Sequence, residues 1–240
     1  TRKRLQLSKR TWMLLVVAAV FLTLDLWFWH RSIIYIGPGL ATLLANFQVF
    51  IMTVVGIVWL RQLPTPMQLV AVPLALFGLA MIVGFDWSGL PDNYKAGVVF
   101  GLLTAVVYAA YLQTLREARV GSTFRAPTRE VAVVSVLTVF MLAATIVMEG
   151  KSFAIPSYAD LGWLVAYGVL SHCIGWLFIT SALSEVSSVE AGLALLLQPT
   201  LSFVWDVLFF GRQMTATELV GACIALFAIY LGFRPGSKQF

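Results

Sequence analysis

The chain has 240 residues, of which 60% are hydrophobic and 11% charged, with mean hydropathy +0.90 and a formal net charge of +5. Soluble domains carry about a quarter charged residues and about half apolar ones, so this composition does not fit a soluble fold. The positive balance does not point to nucleic acid either, because the basic residues cluster in short segments between apolar runs, the pattern of membrane topology.

A membrane-spanning helix needs about 20 mostly apolar residues. Runs at 12–34, 38–60, 69–85, 96–115, 131–149, 161–183, 191–211 and 217–233 meet or approach that length. They are too continuous for the alternating strands of a membrane barrel. Trp12, Trp59, Trp87, Tyr94, Tyr158 and Trp163 lie near run ends, where amphipathic rings favour the interface. The basic start leads into a run followed by further spans rather than a cleavage site. Cys173 and Cys223 fall inside apolar runs and are expected to be buried small hydrophobes, not a disulfide or a metal site.

With the N-terminal segment placed in the cytoplasm, twelve basic residues lie inside and four outside (Arg31, Lys95, Lys151, Arg212). This bias predicts both termini inside and an even number of spans. An internal repeat accompanies it. Gly39-Leu-Ala41 matches Gly192-Leu-Ala194, and Arg61-Gln62 matches Arg212-Gln213 at nearly the same separation. The matched runs face opposite ways across the membrane, which is the inverted-repeat architecture of many secondary transporters. The expected fold is therefore all-α, a polytopic membrane bundle of inverted five-helix repeats. Residues 1–90 would supply the last three helices of the first repeat and 91–240 a complete second one. Eight of ten helices would be present, with two more expected upstream of Thr1.

Several polar groups interrupt the apolar runs. Asp25 lies about two-thirds along the first run, with Phe21, Leu22, Phe28 and Trp29 on its helical face. A carboxylate in hydrocarbon costs roughly 2.5–3.5 kcal/mol on insertion scales unless it meets a cavity or a partner. Such a group can carry a proton or meet a cation; its structural alternative is a bond to another helix or to Arg31. His172 occupies the matching run of the second repeat, beside Gly175 and Trp176. Histidine is the side chain most easily tuned near neutral pH, and a neutral ring bonded to a carbonyl is the plainer alternative. Asn46, Gln48 and Gln198 can line a cavity or bridge helices. Pro199 and Pro73 each free a backbone carbonyl. Gly97, Gly101, Ala105 and Ala109 form a small-residue stripe suited to close helix packing, and Tyr108 and Tyr111 beside it can face a substrate cavity or serve as packing or interfacial tyrosines.

The absences are informative. No G-x-x-x-x-G-K-[ST] run points to ATP, no metal-ligand spacing is present, and no potassium-filter sequence occurs. With no Lys or Arg deep in an apolar run, a neutral, zwitterionic or cationic solute fits better than a multiply charged anion.

The G-L-A near a helix start, Gln198-Pro199 within it, Gly211 at its end and Glu218…Gly221 opening the last run resemble the drug/metabolite transporter superfamily, in particular its EamA-type members. The resemblance covers essentially the whole chain. It departs at Leu60-Arg61 and Gly211-Arg212, where many members have Gly-Glu, and in having Gln48 where the second repeat has Pro199. It implies a secondary transporter of a small metabolite such as an amino acid or amine, working by alternating access, with the cavity between two repeats. A bacterial-type inner membrane, lipid neighbours, protons as coupling ion and no cofactor complete the expectation. Its rivals are a membrane-embedded transferase using Asp25 and His172 as acid and base, and a noncatalytic scaffold.

Overall fold

The computed structural model describes residues 8–62, 64–83, 94–120, 128–198, 200–201, 208 and 215–232. Among the described residues there is no strand. The helices are α1 (Lys9–Ala45), α2 (Gln48–Val58), α3 (Pro66–Val83), α4 (Tyr94–Val120), α5 (Thr128–Met148), α6 (Tyr158–Tyr167), α7 (Trp176–Ala182), α8 (Ser188–Leu195) and α9 (Ala216–Gly232). A π-helical stretch, Gly168–Gly175, joins α6 to α7.

The expected boundary between the first two runs is a kink inside α1. At Gly37 the backbone takes φ 79° and ψ 162°, a conformation closed to most side chains. No atom lies within 4 Å of where a Cβ would sit, so the glycine is required by backbone conformation and not by space.

The expected single helix at 38–60 is corrected. It breaks at Asn46–Phe47, and α2 begins at Gln48. The Thr42 carbonyl accepts both the Asn46 amide at 3.1 Å and the Asn46 side-chain Nδ2 at 2.7 Å. The next turns are tight, with Phe47 N donating to Leu44 O at 3.1 Å and Val49 N to Asn46 O at 3.2 Å. A short polar side chain that competes for the helix carbonyls is the local cause. The expected helix at 161–183 is also modified, because its middle is wound wide as the π-helical stretch. Pro199, Asp206, Arg212 and Trp87 lie outside the described residues.

Two compact units are present. One comprises Thr1–Leu24 and Ala110–Val186; the other comprises Asp25–Ala109 and Ser187–Phe240.

In the second unit, α3 packs along α9 and α2 along α8. Within a membrane, lipid tails remove most of the hydrophobic drive between helices, and close van der Waals packing replaces it. Gly78 shows this: a Cβ there would meet Ala225 N and Gly221 O at 2.6 Å. At Gly192 a Cβ would meet Val49 Cγ2 at 2.9 Å. Val72, Leu76, Leu79, Leu193 and Ile229 fill the core around these contacts.

The predicted small-residue stripe of α4 packs as expected. Gly97 abuts Tyr35 and Ile36, Gly101 abuts Leu44 and Ser32, and Ala105 and Ala109 are buried. The Ser32 hydroxyl donates to the Gly97 carbonyl at 2.9 Å, which seals α1 to α4 where a larger residue would hold them apart.

Two helix starts in this unit are built alike. Thr65 and Gln68 exchange side-chain and backbone bonds at the head of α3, at 3.0 and 3.2 Å. Thr215 and Glu218 do the same at the head of α9, at 2.7 and 3.2 Å. Both are reciprocal caps that satisfy the free amides of a first turn.

In the first unit, α5 packs on α7. The remaining faces of these helices are apolar and exposed, through Val139, Phe140, Trp163, Leu170 and Phe178. An apolar surface this extensive suits contact with lipid rather than water. The cysteines correct another expectation: Cys173 in this unit and Cys223 on α9 in the second unit are both exposed, free thiols rather than core residues.

Candidate substrate site

Asp25 is buried in α1, with 8% of its surface exposed. It forms no ion pair with another described residue. Arg31, its possible partner by sequence, instead lies over the Trp27 ring, 4.0 Å from the ring centre. A cation placed on an aromatic face is held by the ring quadrupole, so Arg31 is engaged one helical turn beyond Trp27. The neighbour that the structure does bring to Asp25 is Tyr108 of α4, close enough to feel the carboxylate's charge. Of the two tyrosines singled out beside the stripe, Tyr108 therefore belongs with Asp25.

An aromatic group joins α1 to α4 in the same unit. Phe28 and Tyr35 of α1 stack on Phe100 of α4 with ring centres 5.9 and 6.0 Å apart, and Trp27 meets Phe100 edge-on at 5.9 Å. Edge-on and offset rings of this kind fix the side chains of a helix pair in one arrangement.

The helix break supplies the other polar groups of this unit. Asn46 is buried and spends its side-chain amide on the Thr42 carbonyl. Gln48, at the start of α2, is buried with its Oε1 accepting no hydrogen bond. Buried acceptors are nearly always satisfied, so this amide oxygen at the helix break is an exception to the rule. Gln198, expected to line a cavity, has an exposed side chain.

The remaining predicted residues lie in the first unit. Tyr111 is buried and meets Trp176 edge-on, with ring centres 5.2 Å apart. His172 is exposed in the π-helical stretch, and its ring packs edge-on against Tyr167 at 4.8 Å. A π-helical insertion often marks a functional position because it re-aims the side chains around it.

One buried ionic group escaped the sequence reading. Arg119 and Glu130 pair at 3.6 Å, with side-chain exposures of 8% and 0%. The expected helices ended at 115 and began at 131, which left both residues in a loop. In the structure α4 continues to Val120 and α5 starts at Thr128, so both are helical and buried. Glu130 in the first turn of an apolar run, an acidic residue where the helix dipole favours one, was the available signal.

By length and composition, Lys9–Gly37, Tyr94–Val120, Thr128–Met148 and Tyr158–Ala182 can cross a membrane, and Gln48–Val58, Pro66–Met81 and Ala216–Gly232 are shorter apolar helices. These helices, with a carboxylate and amides buried among them, define a polytopic helical membrane protein. The chain belongs to the EamA-like transporter family, whose family model matches residues 1–84 and 95–234. That family consists of transporters, so the reading of Asp25 and His172 as the acid and base of a membrane transferase is set aside. An uncharacterized transporter of Archaeoglobus fulgidus is 22% identical over 172 residues, which is 69% of this chain and 56% of that protein. The chain thus spans little more than half of that relative. A protein solved by crystallography is similar in fold, with a TM-score of 0.80 at 16% identity over 92% of this chain and 76% of that one.

Proposed function

We propose that the chain is a secondary active transporter that moves a small neutral, zwitterionic or cationic metabolite, such as an amino acid or amine, by alternating access. The observation that carries this reading is Asp25. It is a carboxyl group buried in the middle of a long apolar helix, with no ion pair among the described residues and with Tyr108 beside it. A group so costly to insert is retained where it binds a cation or a proton. In this reading Asp25 meets the cationic group or carries the coupling proton. Tyr108, Asn46, Gln48 and Gln198 orient the solute by hydrogen bonds.

The repeat organisation belongs to the same proposal. Residues 1–90 would form the last three helices of a first five-helix repeat and 91–240 the second, in a bacterial-type inner membrane with both termini cytoplasmic. The like-built caps at Thr65–Gln68 and Thr215–Glu218 support it. So do the breaks at Asn46–Phe47 and after Leu195, since both fall in runs that the repeat matches. Broken helices that expose backbone dipoles at mid-membrane are a usual way to build a transporter site.

The test is counterflow in proteoliposomes carrying the complete protein, with radiolabelled amino acids and amines tried in turn. The reading expects one of these classes to exchange, with an imposed pH gradient changing its net uptake. Absence of exchange for every class, with the protein shown to be inserted and folded, would overturn it.

A further inference from the structure

Helix α4 carries two ion pairs of equal length in different surroundings. Arg10–Glu117 spans 3.6 Å with side-chain exposures of 75% and 44%. Arg119–Glu130 also spans 3.6 Å, with exposures of 8% and 0%. An exposed pair contributes little, because water screens both charges. A buried pair loses the hydration of both ions and recovers it only with good geometry and further hydrogen bonds. Glu130 lacks these: neither carboxylate oxygen makes a hydrogen bond.

The same face of α5 continues the pattern. Glu130, Val134 and Thr138 are its buried residues, at helical spacing. The Thr138 hydroxyl makes no hydrogen bond, and neither does the buried hydroxyl of Thr180 on α7, which packs on α5. This departs from the rule elsewhere in the chain. Thr23, Thr53, Thr104, Thr114 and Thr200 each donate to the carbonyl four residues back, at 2.7–3.0 Å. One helix face therefore holds a charged group and a hydroxyl whose hydrogen-bonding capacity is unused.

We infer that Arg119–Glu130 is a conformational latch, which ties the last turn of α4 to the first turn of α5 in this state and parts in another. Once it parts, water reaches Glu130 and Thr138 and supplies the bonds they lack here. The long contact and the unbonded carboxylate oxygens of Glu130 suit a pair that must open, because a carboxylate bonded through both oxygens would hold one state too firmly. On the distribution of basic residues, this end of the helices is the cytoplasmic one, so the latch would close the inner side. The latch takes its purpose from the transport reading, but its test does not depend on any substrate.

The test measures thiol labelling by N-ethylmaleimide in native membranes bearing the complete protein. In a Cys173→Ser, Cys223→Ser background, Thr138→Cys reports the buried face of α5 and Ser135→Cys its exposed face. Glu130→Gln is expected to raise labelling of the Thr138→Cys thiol by about fivefold or more, the lower range of conformational coupling, and to leave Ser135→Cys unchanged. The charge reversal Arg119→Glu with Glu130→Arg is expected to restore slow labelling. Unchanged labelling in Glu130→Gln would overturn the latch, as would equal rises at both positions, which mark general loosening. A reversed pair that labels as fast as Glu130→Gln would overturn it too. Failed counterflow with the latch result intact sinks only the transport reading; intact counterflow with unchanged labelling sinks only the latch.

Discussion

Asp25 and Glu130 are both buried carboxyl groups in apolar helices, and they sit in different ways. Asp25 lies in the middle of α1, in the unit formed with α2, α3, α8 and α9. It has a tyrosine for a neighbour and no ion pair among the described residues. Glu130 lies at a helix start in the other unit and faces an arginine. The contrast separates two uses of a buried charge. A carboxyl group without an ionic partner can take up a proton or a cationic solute without first releasing anything. A carboxylate that faces an arginine already has its counter-charge, and its free energy is tied to the position of two helices. Asp25 therefore suits binding, whereas Glu130 suits conformation.

That difference can be broken first by stability. Glu130→Ala leaves Arg119 buried without its carboxylate and is expected to cost about 3–5 kcal/mol. Asp25→Ala removes a desolvated group that balances no other charge, and is expected to be neutral or stabilising. Thermal unfolding of the two variants in one detergent checks this; equal losses would dissolve the distinction.

A smaller effect probes the packing of the unit that holds Asp25. Gly78→Ala pushes a methyl group into the backbone of α9 at Ala225 and Gly221, where no flexible side chain can give way. It is expected to cost about 1–3 kcal/mol, the usual range for overpacking, read as a lowered unfolding temperature.

The smallest effect concerns Tyr108. If its hydroxyl helps to orient a group at Asp25, Tyr108→Phe removes one hydrogen bond worth about 0.5–1.5 kcal/mol. That corresponds to a rise in KM of about two- to tenfold, with the unfolding temperature unchanged. A lowered stability with KM unchanged would make Tyr108 a packing residue.

The membrane class, the helical architecture and the small-residue stripe were legible in the sequence because they depend on run length, composition and spacing. The burial of Asp25, Asn46 and Gln48 was legible too, since polar groups inside apolar runs have few places to go. Less legible were features decided by local competition or by a partner helix. The break at Asn46 follows from a side chain competing for one carbonyl, which hydropathy does not weigh. The widened turn at Gly168–Gly175 left no composition signal. Arg119 and Glu130 read as loop residues because charge ends an apolar window, although each pairs with a charge of opposite sign in a neighbouring helix. The exposure of Cys173 and Cys223 is the converse case. In a membrane protein an apolar run has an outward face that meets lipid, so apolar surroundings in sequence do not imply a core.

In the proposed transport cycle Asp25 is the group that binds, and one measurement addresses it directly. Solute uptake into proteoliposomes by the complete protein, followed across external pH, is compared with that of Asp25→Asn, which keeps size and hydrogen bonding but removes the charge and the titrating proton. The variant is expected to fold normally, to lose most uptake and no longer to respond to pH. Full uptake with full pH dependence in Asp25→Asn would contradict that role.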